Sequence, residues 1–270
     1  MPRFSVVIPA RYGSSRFPAK PLYMLAGKAM IARVAENALR AAQGIDDVEV
    51  CVATDHPDIA SAANAAGAKA IVSKAPCATG SDRVRDACAQ MEKMPEYVIN
   101  LQGDAPLIGA EVIQKIIRTL LARPDADVAT PIAQLSWSAL DELRERKRAT
   151  PFSGTTALVG GKDRLLWFSK NVVPAMRHEE KLRRESEFSP VYLHLGLYGY
   201  RREALEKFSS LPQSRYETLE ELEQLRFLEN GMSIVGVALS PGEWPPVCGV
   251  DTPEDAARVE EILRARKRQA

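Results

Sequence analysis

The chain has 270 residues, with 36 basic and 35 acidic side chains for a formal net charge of +1, and 46% of its residues are hydrophobic. That length accommodates one large α/β domain or two small ones around a sizeable core, and so balanced a charge argues against a nucleic-acid or anionic-membrane binder. No uncharged apolar run reaches bilayer length, Met1-Pro2-Arg3-Phe4 does not open a signal peptide, and Cys51, Cys77, Cys88 and Cys248 lack metal-ligand spacing, which leaves a reduced, cytoplasmic, soluble enzyme or binding domain.

Phe4-Ser5-Val6-Val7-Ile8, stopped by Pro9, predicts a buried strand. Met30, Ile31, Val34, Ala38 and Leu39 then recur at helical spacing across 29–42. A strand over 49–53, a short helix over 57–66 stopped by Gly67 and a strand over 70–72 follow. Ser81 or Asp82 caps a helix over 81–94, a strand covers 97–101, and a helix over 109–121 completes the series. This alternation predicts a mostly parallel sheet with helices on both faces. Ligands bind such sheets beyond the carboxyl ends of the strands, so the loops after Ile8, Ala53 and Leu101 are where chemistry belongs.

The second half is less regular. Strands are expected over 157–159 and 193–200, the latter carrying His194, Tyr198 and Tyr200 at even offsets and therefore on one face. The charge-dense run 176–187 reads as a mobile solvated loop. A helix over 219–229, a strand over 234–239 and a helix over 253–266 capped by Thr252 close the chain, with a solvated basic end at 264–268. No linker or repeat divides it, so residues 1–270 are expected to form one domain with an embedded α+β lobe at about 135–212.

The loop after the first strand, Pro9-Ala10-Arg11-Tyr12-Gly13-Ser14-Ser15-Arg16-Phe17-Pro18-Ala19-Lys20, gathers the cations Arg11, Arg16 and Lys20 around a Gly-Ser-Ser turn. Amides of such a turn cradle phosphate oxygens, with Arg adding bidentate contacts and Lys a point charge. A generic basic surface loop has the same composition, and the segment matches neither GxxxxGK[ST] nor GxGxxG.

With Gly27-Lys28-Ala29-Met30-Ile31 after it, this loop resembles the signature of the 3-deoxy-manno-octulosonate (Kdo) cytidylyltransferases, a branch of the sugar-acid CMP synthetases. The resemblance continues through Ala53-Thr54-Asp55, Thr79-Gly80-Ser81-Asp82-Arg83, Asn100-Leu101-Gln102-Gly103-Asp104, His194-Leu195-Gly196-Leu197-Tyr198, Leu222-Glu223-Gln224 and Gly249-Val250-Asp251-Thr252-Pro253, in the family's order over nearly the whole chain. It implies a three-layer α/β/α fold with a Rossmann-like sheet of the nucleotide-diphospho-sugar transferase kind. It also implies an enzyme that couples CTP to a 2-keto-3-deoxy sugar acid and releases pyrophosphate.

By that resemblance Pro9, Ala10, Arg11, Ser14, Arg16 and Lys20 hold the triphosphate, and Thr79, Ser81, Arg83 and Gln102 help to hold the nucleotide. Asp104 and Asp251 ligate Mg2+, and with Arg16 and Lys20 they form the catalytic set. Taken alone, an Asp before Thr-Pro is also a common helix cap or turn former. Attack of a sugar hydroxyl on an α-phosphate needs charge neutralised on both the entering and the leaving oxygen, which magnesium on one or two carboxylates supplies. The resemblance further implies a homodimer, for which the apolar residues around Leu135 and Trp137 offer a surface, and a product used in lipopolysaccharide or capsule assembly.

Gln102, His194, Tyr198, Glu220, Glu223 and Gln224 are the candidates for gripping the sugar acid. Half-buried packing of the His-Tyr set and a wet helix face for the two glutamates are the alternatives. The sequence departs from the family where Gln102-Gly103-Asp104-Ala105-Pro106 stands in place of Gln-Gly-Asp-Glu-Pro, where Thr150 to Val159 lacks the usual lysine, and where Trp167-Phe168-Ser169-Lys170 replaces Tyr-Phe-Ser-Arg. Lost polar partners of about 1–3 kcal/mol each predict a shifted preference among acceptor acids.

Overall fold

Apolar β-branched runs build the parallel heart of the sheet. The computed structural model describes residues 4–13, 17–73, 76–77, 79–245, 247 and 249–269. The predicted sites Ser14 and Arg16, and Cys248, lie outside them.

Strand β1 (Phe4–Ala10) leads through a 3-10 turn (Lys20–Leu22) and a small hairpin, β2 (Met24–Leu25) with β3 (Lys28–Ala29), into helix α1 (Met30–Ala42). Then come β4 (Val48–Thr54), α2 (Pro57–Ala65), β5 (Lys69–Val72), α3 (Gly80–Ala89), β6 (Tyr97–Leu101) and α4 (Ala110–Ala122). These strands lie in the order β5-β4-β1-β6, all parallel, as the alternating pattern predicted. Every residue of β1 is buried, as a strand covered by helices on both faces requires.

The later strands widen this sheet. They are β7 (Val128–Ser136), β8 (Thr155–Val159), β9 (Leu165–Ser169), β10 (Phe188–His194), β11 (Leu197–Arg201) and β12 (Ile234–Ala238). The sheet continues β6-β11-β7-β10-β8-β9 through antiparallel pairs, and β12 joins β7 in parallel. Helix α5 (Trp137–Ala149) follows β7 and α6 (Glu179–Glu185) precedes β10. Then α7 (Arg202–Ser210), α8 (Arg215–Glu220) and α9 (Gln224–Glu229) lead to β12, and α10 (Pro253–Gln269) ends the chain. Among the described residues no helix is long and apolar enough to cross a membrane.

Four expectations about the elements are corrected. The run 193–200 is two strands: the chain leaves β10 at His194, turns through Leu195 and Gly196, and crosses β7 to pair with β6 as β11. The run 219–229 is two helices, because Glu221 adopts a left-handed conformation (φ 52°) between α8 and α9. Helix α3 starts one residue early and ends at Ala89. Its cap is Thr79, whose hydroxyl accepts from the Asp82 amide while Asp82 accepts from the Thr79 amide, a reciprocal capping box. The charged run 176–187 contains α6, where Arg183 bridges Asp141 and Glu179 and lies 4.6 Å over the Trp137 ring. Glu179 and Arg183 pair with α5, while most other charges of the run face water as expected.

Two core layers flank the sheet, one under α1 and α4 and the other under α3, α7 and α9. Cys51 and Cys88 are buried in the second as small hydrophobes, and burial pushes both thiols well up. A third cluster seats α10 against Leu25, Met30 and Leu107. The segment 135–212 has a cluster of its own, in which Leu135 and Trp137 are buried. They therefore form no exposed patch, contrary to the sequence reading.

Candidate active site

Beyond the carboxyl ends of β1, β4 and β6 lies a cleft of about 460 Å3. Pro9, Ala10, Arg11 and Lys20 from the first loop, Thr79 and Arg83 from the start of α3, Gln102 and Asp104 after β6, Glu223, and Asp251 before α10 all line it. Residues predicted from five separate motifs thus share one space. Gly103 makes the junction possible, because a Cβ there would lie 2.8 Å from the Pro9 carbonyl oxygen.

Lys20 is the centre of this site. The residue before it, Ala19, adopts a left-handed conformation (φ 54°) that turns the chain into the 3-10 turn. The Lys20 ammonium lies 2.6 Å from Asp104 Oδ2 and 3.4 Å from Asp251 Oδ1. The Val250 amide donates to the Asp104 carbonyl at 2.9 Å, so the two acid-bearing loops are stitched together directly behind their carboxylates. Two hard oxygen donors converging on a cation is a donor set that suits magnesium, which takes its remaining ligands from phosphate and water. Among the described residues no group of three or more His, Cys, Asp or Glu side chains forms a cage of its own.

The α3 side of the cleft is held by ordered polar pairs. Arg83 donates to Asp55 Oδ2 at 3.1 Å and to Ser73 Oγ at 3.3 Å. Gln102 spends its amide on Asn100 Oδ1 at 3.1 Å. Ser81 does not line the cleft, but donates to Glu223 Oε2 at 2.6 Å and so positions a residue that does. Burial pushes the Glu223 carboxyl up, against the opposing pull of the Ser81 hydroxyl.

The other predicted acceptor residues lie behind this lining. His194 and Tyr198 share a face even though they sit on different strands, with ring centroids 5.4 Å apart. Gln224 is buried at the start of α9. Glu220 is committed to the backbone, accepting from Lys170 N at 2.6 Å and from Ser169 Oγ at 2.8 Å. This clamp presents Lys170, whose ammonium burial pushes down while Glu221, Glu220 and Asp251 pull it up. Lys170 entered the sequence reading only as a departure, and Asp55 only as part of a motif; neither had a spacing signal that tied it to the cleft. Ala105 is 3% exposed and belongs to the core under α4, so its methyl packs the Asp104 loop from beneath and does not face the cleft.

The Thr130 hydroxyl gives its proton to the Leu197 carbonyl at 2.8 Å, which makes His194 Nε2 the donor to Thr130 Oγ1 at 2.9 Å. Burial, with Lys170 nearby, pushes His194 from 6.5 down to about 3. The folded chain then binds fewer protons than the unfolded one between those values, so stability is full above the upper value and falls as pH drops through the window. About 2 kcal/mol should be lost between about pH 7 and about pH 5, and His194→Gln should flatten that slope in urea unfolding. An unchanged slope in the variant would refute the assignment.

A mixed α/β sheet with a parallel half, a basic first loop and two carboxylates converging on its lysine is the architecture of a nucleotidyltransferase. The family described as cytidylyltransferase matches residues 5–234. A 3-deoxy-manno-octulosonate cytidylyltransferase of Maricaulis maris is 44% identical over 259 residues, 96% of each chain. One of Anaeromyxobacter dehalogenans is 40% identical over 98% of this chain and 99% of its own. The solved structure of a CMP:2-keto-3-deoxy-manno-octonic acid synthetase complexed with CTP superposes with a TM-score of 0.82 at 33% identity, covering 98% of this chain and 99% of that one. The chain belongs to the cytidylyltransferase family.

Proposed function

We propose that this enzyme transfers the cytidylyl group of CTP to 3-deoxy-manno-octulosonate or a close 2-keto-3-deoxy sugar acid. The anomeric hydroxyl oxygen bonds to the α-phosphorus, the α–β phosphoanhydride bond breaks, and pyrophosphate leaves. The observation that carries this reading is the convergence of Asp104 and Asp251 on Lys20 at the mouth of the phosphate loop. The names of the relatives at 44% and 40% identity support the acceptor.

Asp104 and Asp251 would hold Mg2+, which would neutralise charge on the phosphate oxygens as the bond order shifts. Lys20 supplies a fixed positive charge beside them, and Arg11 adds a second from the same loop. Arg83 and Gln102 face the nucleotide, and Glu223 faces the acceptor. No side chain forms a covalent intermediate, so catalysis rests on positioning and preorganised charge. We place the enzyme in the cytoplasm, where CTP is made. We further propose that it acts as a homodimer, covering exposed apolar residues such as Leu166 on the edge strand β9 and Leu219 on α8.

The test is pyrophosphate release with each nucleoside triphosphate and a panel of sugar acids in magnesium. Turnover with CTP and Kdo is expected. Another required nucleotide would indicate a different nucleotidyltransferase, and none at all a non-catalytic relative. Faster turnover on amino, deoxy or nine-carbon acids would move the acceptor assignment. A monomer in sedimentation would overturn the dimer.

A further inference from the structure

Ala53-Thr54-Asp55 ends β4, and Thr54 pairs in register with Ala10 at the end of β1. Asp55 therefore emerges level with Arg11, at the mouth of the cleft. Its carboxylate is divided between two loops: Oδ1 accepts the Tyr12 amide at 3.0 Å, and Oδ2 accepts Arg83 Nη2 at 3.1 Å. The Tyr12 ring stacks on His56 with centroids 3.9 Å apart and planes within 15°, a second tie between the same two loops.

Arg83 is the buried partner, with its side chain 7% exposed against 41% for Asp55. A guanidinium so enclosed needs a counter-charge. Asp55 on Nη2 and Ser73 on Nη1 fix the plane of the fork. Among the described residues two of its five N–H donors are thereby engaged, and Arg83 itself lines the cleft.

We propose that Asp55 is a positioning residue for the nucleotide: through one carboxylate it sets both the backbone of the triphosphate loop beside Arg11 and the orientation of Arg83. This rests on the reading of the cleft as a CTP site. Asp55 does not touch the substrate; it acts through the Tyr12 amide and through Arg83. Held groups lose little entropy when the ligand arrives, so releasing them raises the CTP concentration required without changing the reacting atoms.

The experiment compares Asp55→Asn and Asp55→Ala with the unmodified chain in pyrophosphate release, varying CTP and the sugar acid separately. KM for CTP should rise about tenfold in Asp55→Asn and further in Asp55→Ala, because the amide can still accept from Tyr12 but repels Arg83. The kcat should change by less than about threefold, and KM for the acid should stay unchanged, a split that a merely structural role would not produce. In an Arg83→Gln background Asp55→Asn should add little more. Melting temperatures should fall in both variants, because the enclosed Arg83 loses its counter-charge, but destabilisation alone would not confine the rise in KM to CTP.

An unchanged KM for CTP, equal rises for both substrates, or tighter CTP binding, as loss of a negative charge alone would cause, each overturns the positioning role. An unmodified chain that releases no pyrophosphate from CTP with any acid overturns the functional reading as well, and so is distinguishable from a failure of Asp55 alone.

Discussion

Asp104→Asn should lower pyrophosphate release at saturating magnesium by about a thousandfold, roughly 4 kcal/mol in the barrier, with the fold intact. Asp104 Oδ2 is the nearer of the two oxygens facing Lys20, at 2.6 Å, and the loop that carries it is already held by its own carbonyl to Val250. The amide keeps the size of the side chain and removes the charge that a divalent ion and Lys20 both require. The Asp104 side chain is one-third exposed, so its loss costs the folded state little. Asp251→Asn should behave alike, because its Oδ1 completes the same pair. Turnover within about tenfold of normal in either variant, alongside an unchanged melting curve, would remove that aspartate from the proposed catalytic set.

Glu217→Gln should be the most destabilising of the single changes considered, by about 3 kcal/mol in urea unfolding. Both partners of the Glu217–Arg226 pair are buried. Arg226 Nε donates to Glu217 Oε2 at 2.7 Å, and its Nη2 donates to Oε1. The guanidinium also lies 4.1 Å over the Phe208 ring, and Ser214 N donates to Glu217 at 2.9 Å to close the α8 cap. Removing the carboxylate leaves a charged group enclosed without its counter-ion, whereas Glu217→Met with Arg226→Met should recover much of the loss. A fall below about 1 kcal/mol in the single variant would show that water reaches the pair. Because this brace holds the α8–α9 turn just ahead of Glu223, KM for the acid should rise in the single variant as well.

What could be read along the chain was local. The parallel half of the fold follows from periodicity within single elements: β1 is apolar but for Ser5, and α1 carries its apolar residues on one face. The strand at 193–200 looked single because its alternation is continuous. Only pairing partners separate β10 from β11, and these come from β6 and β7, far away in sequence. The charged run at 176–187 looked like a loop because the acids and bases that neutralise it on α5 are distant in the chain. Glu220 and Glu223 resembled one wet helix face. The left-handed Glu221 between them sends one to the backbone at Lys170 and the other, held by Ser81, to the cleft.

The sequence by itself determined the kind of chemistry: a basic Gly-Ser loop at a strand end, aspartates in Gly103-Asp104 and Gly249-Val250-Asp251, and an ordered set of motifs that names the family. Tertiary structure alone decided how those groups meet. Lys20 stands 84 residues from Asp104 and 231 from Asp251, and no local pattern encodes distances of 2.6 and 3.4 Å across such separations. They arise because parallel strands deliver successive loops to one edge of the sheet, and because Gly103 lets two of those loops close to contact. The same packing turned Asp55 from a motif residue into a link between Tyr12 and Arg83, and put Ala105 in the core, since burial and partnership are properties of the assembled sheet.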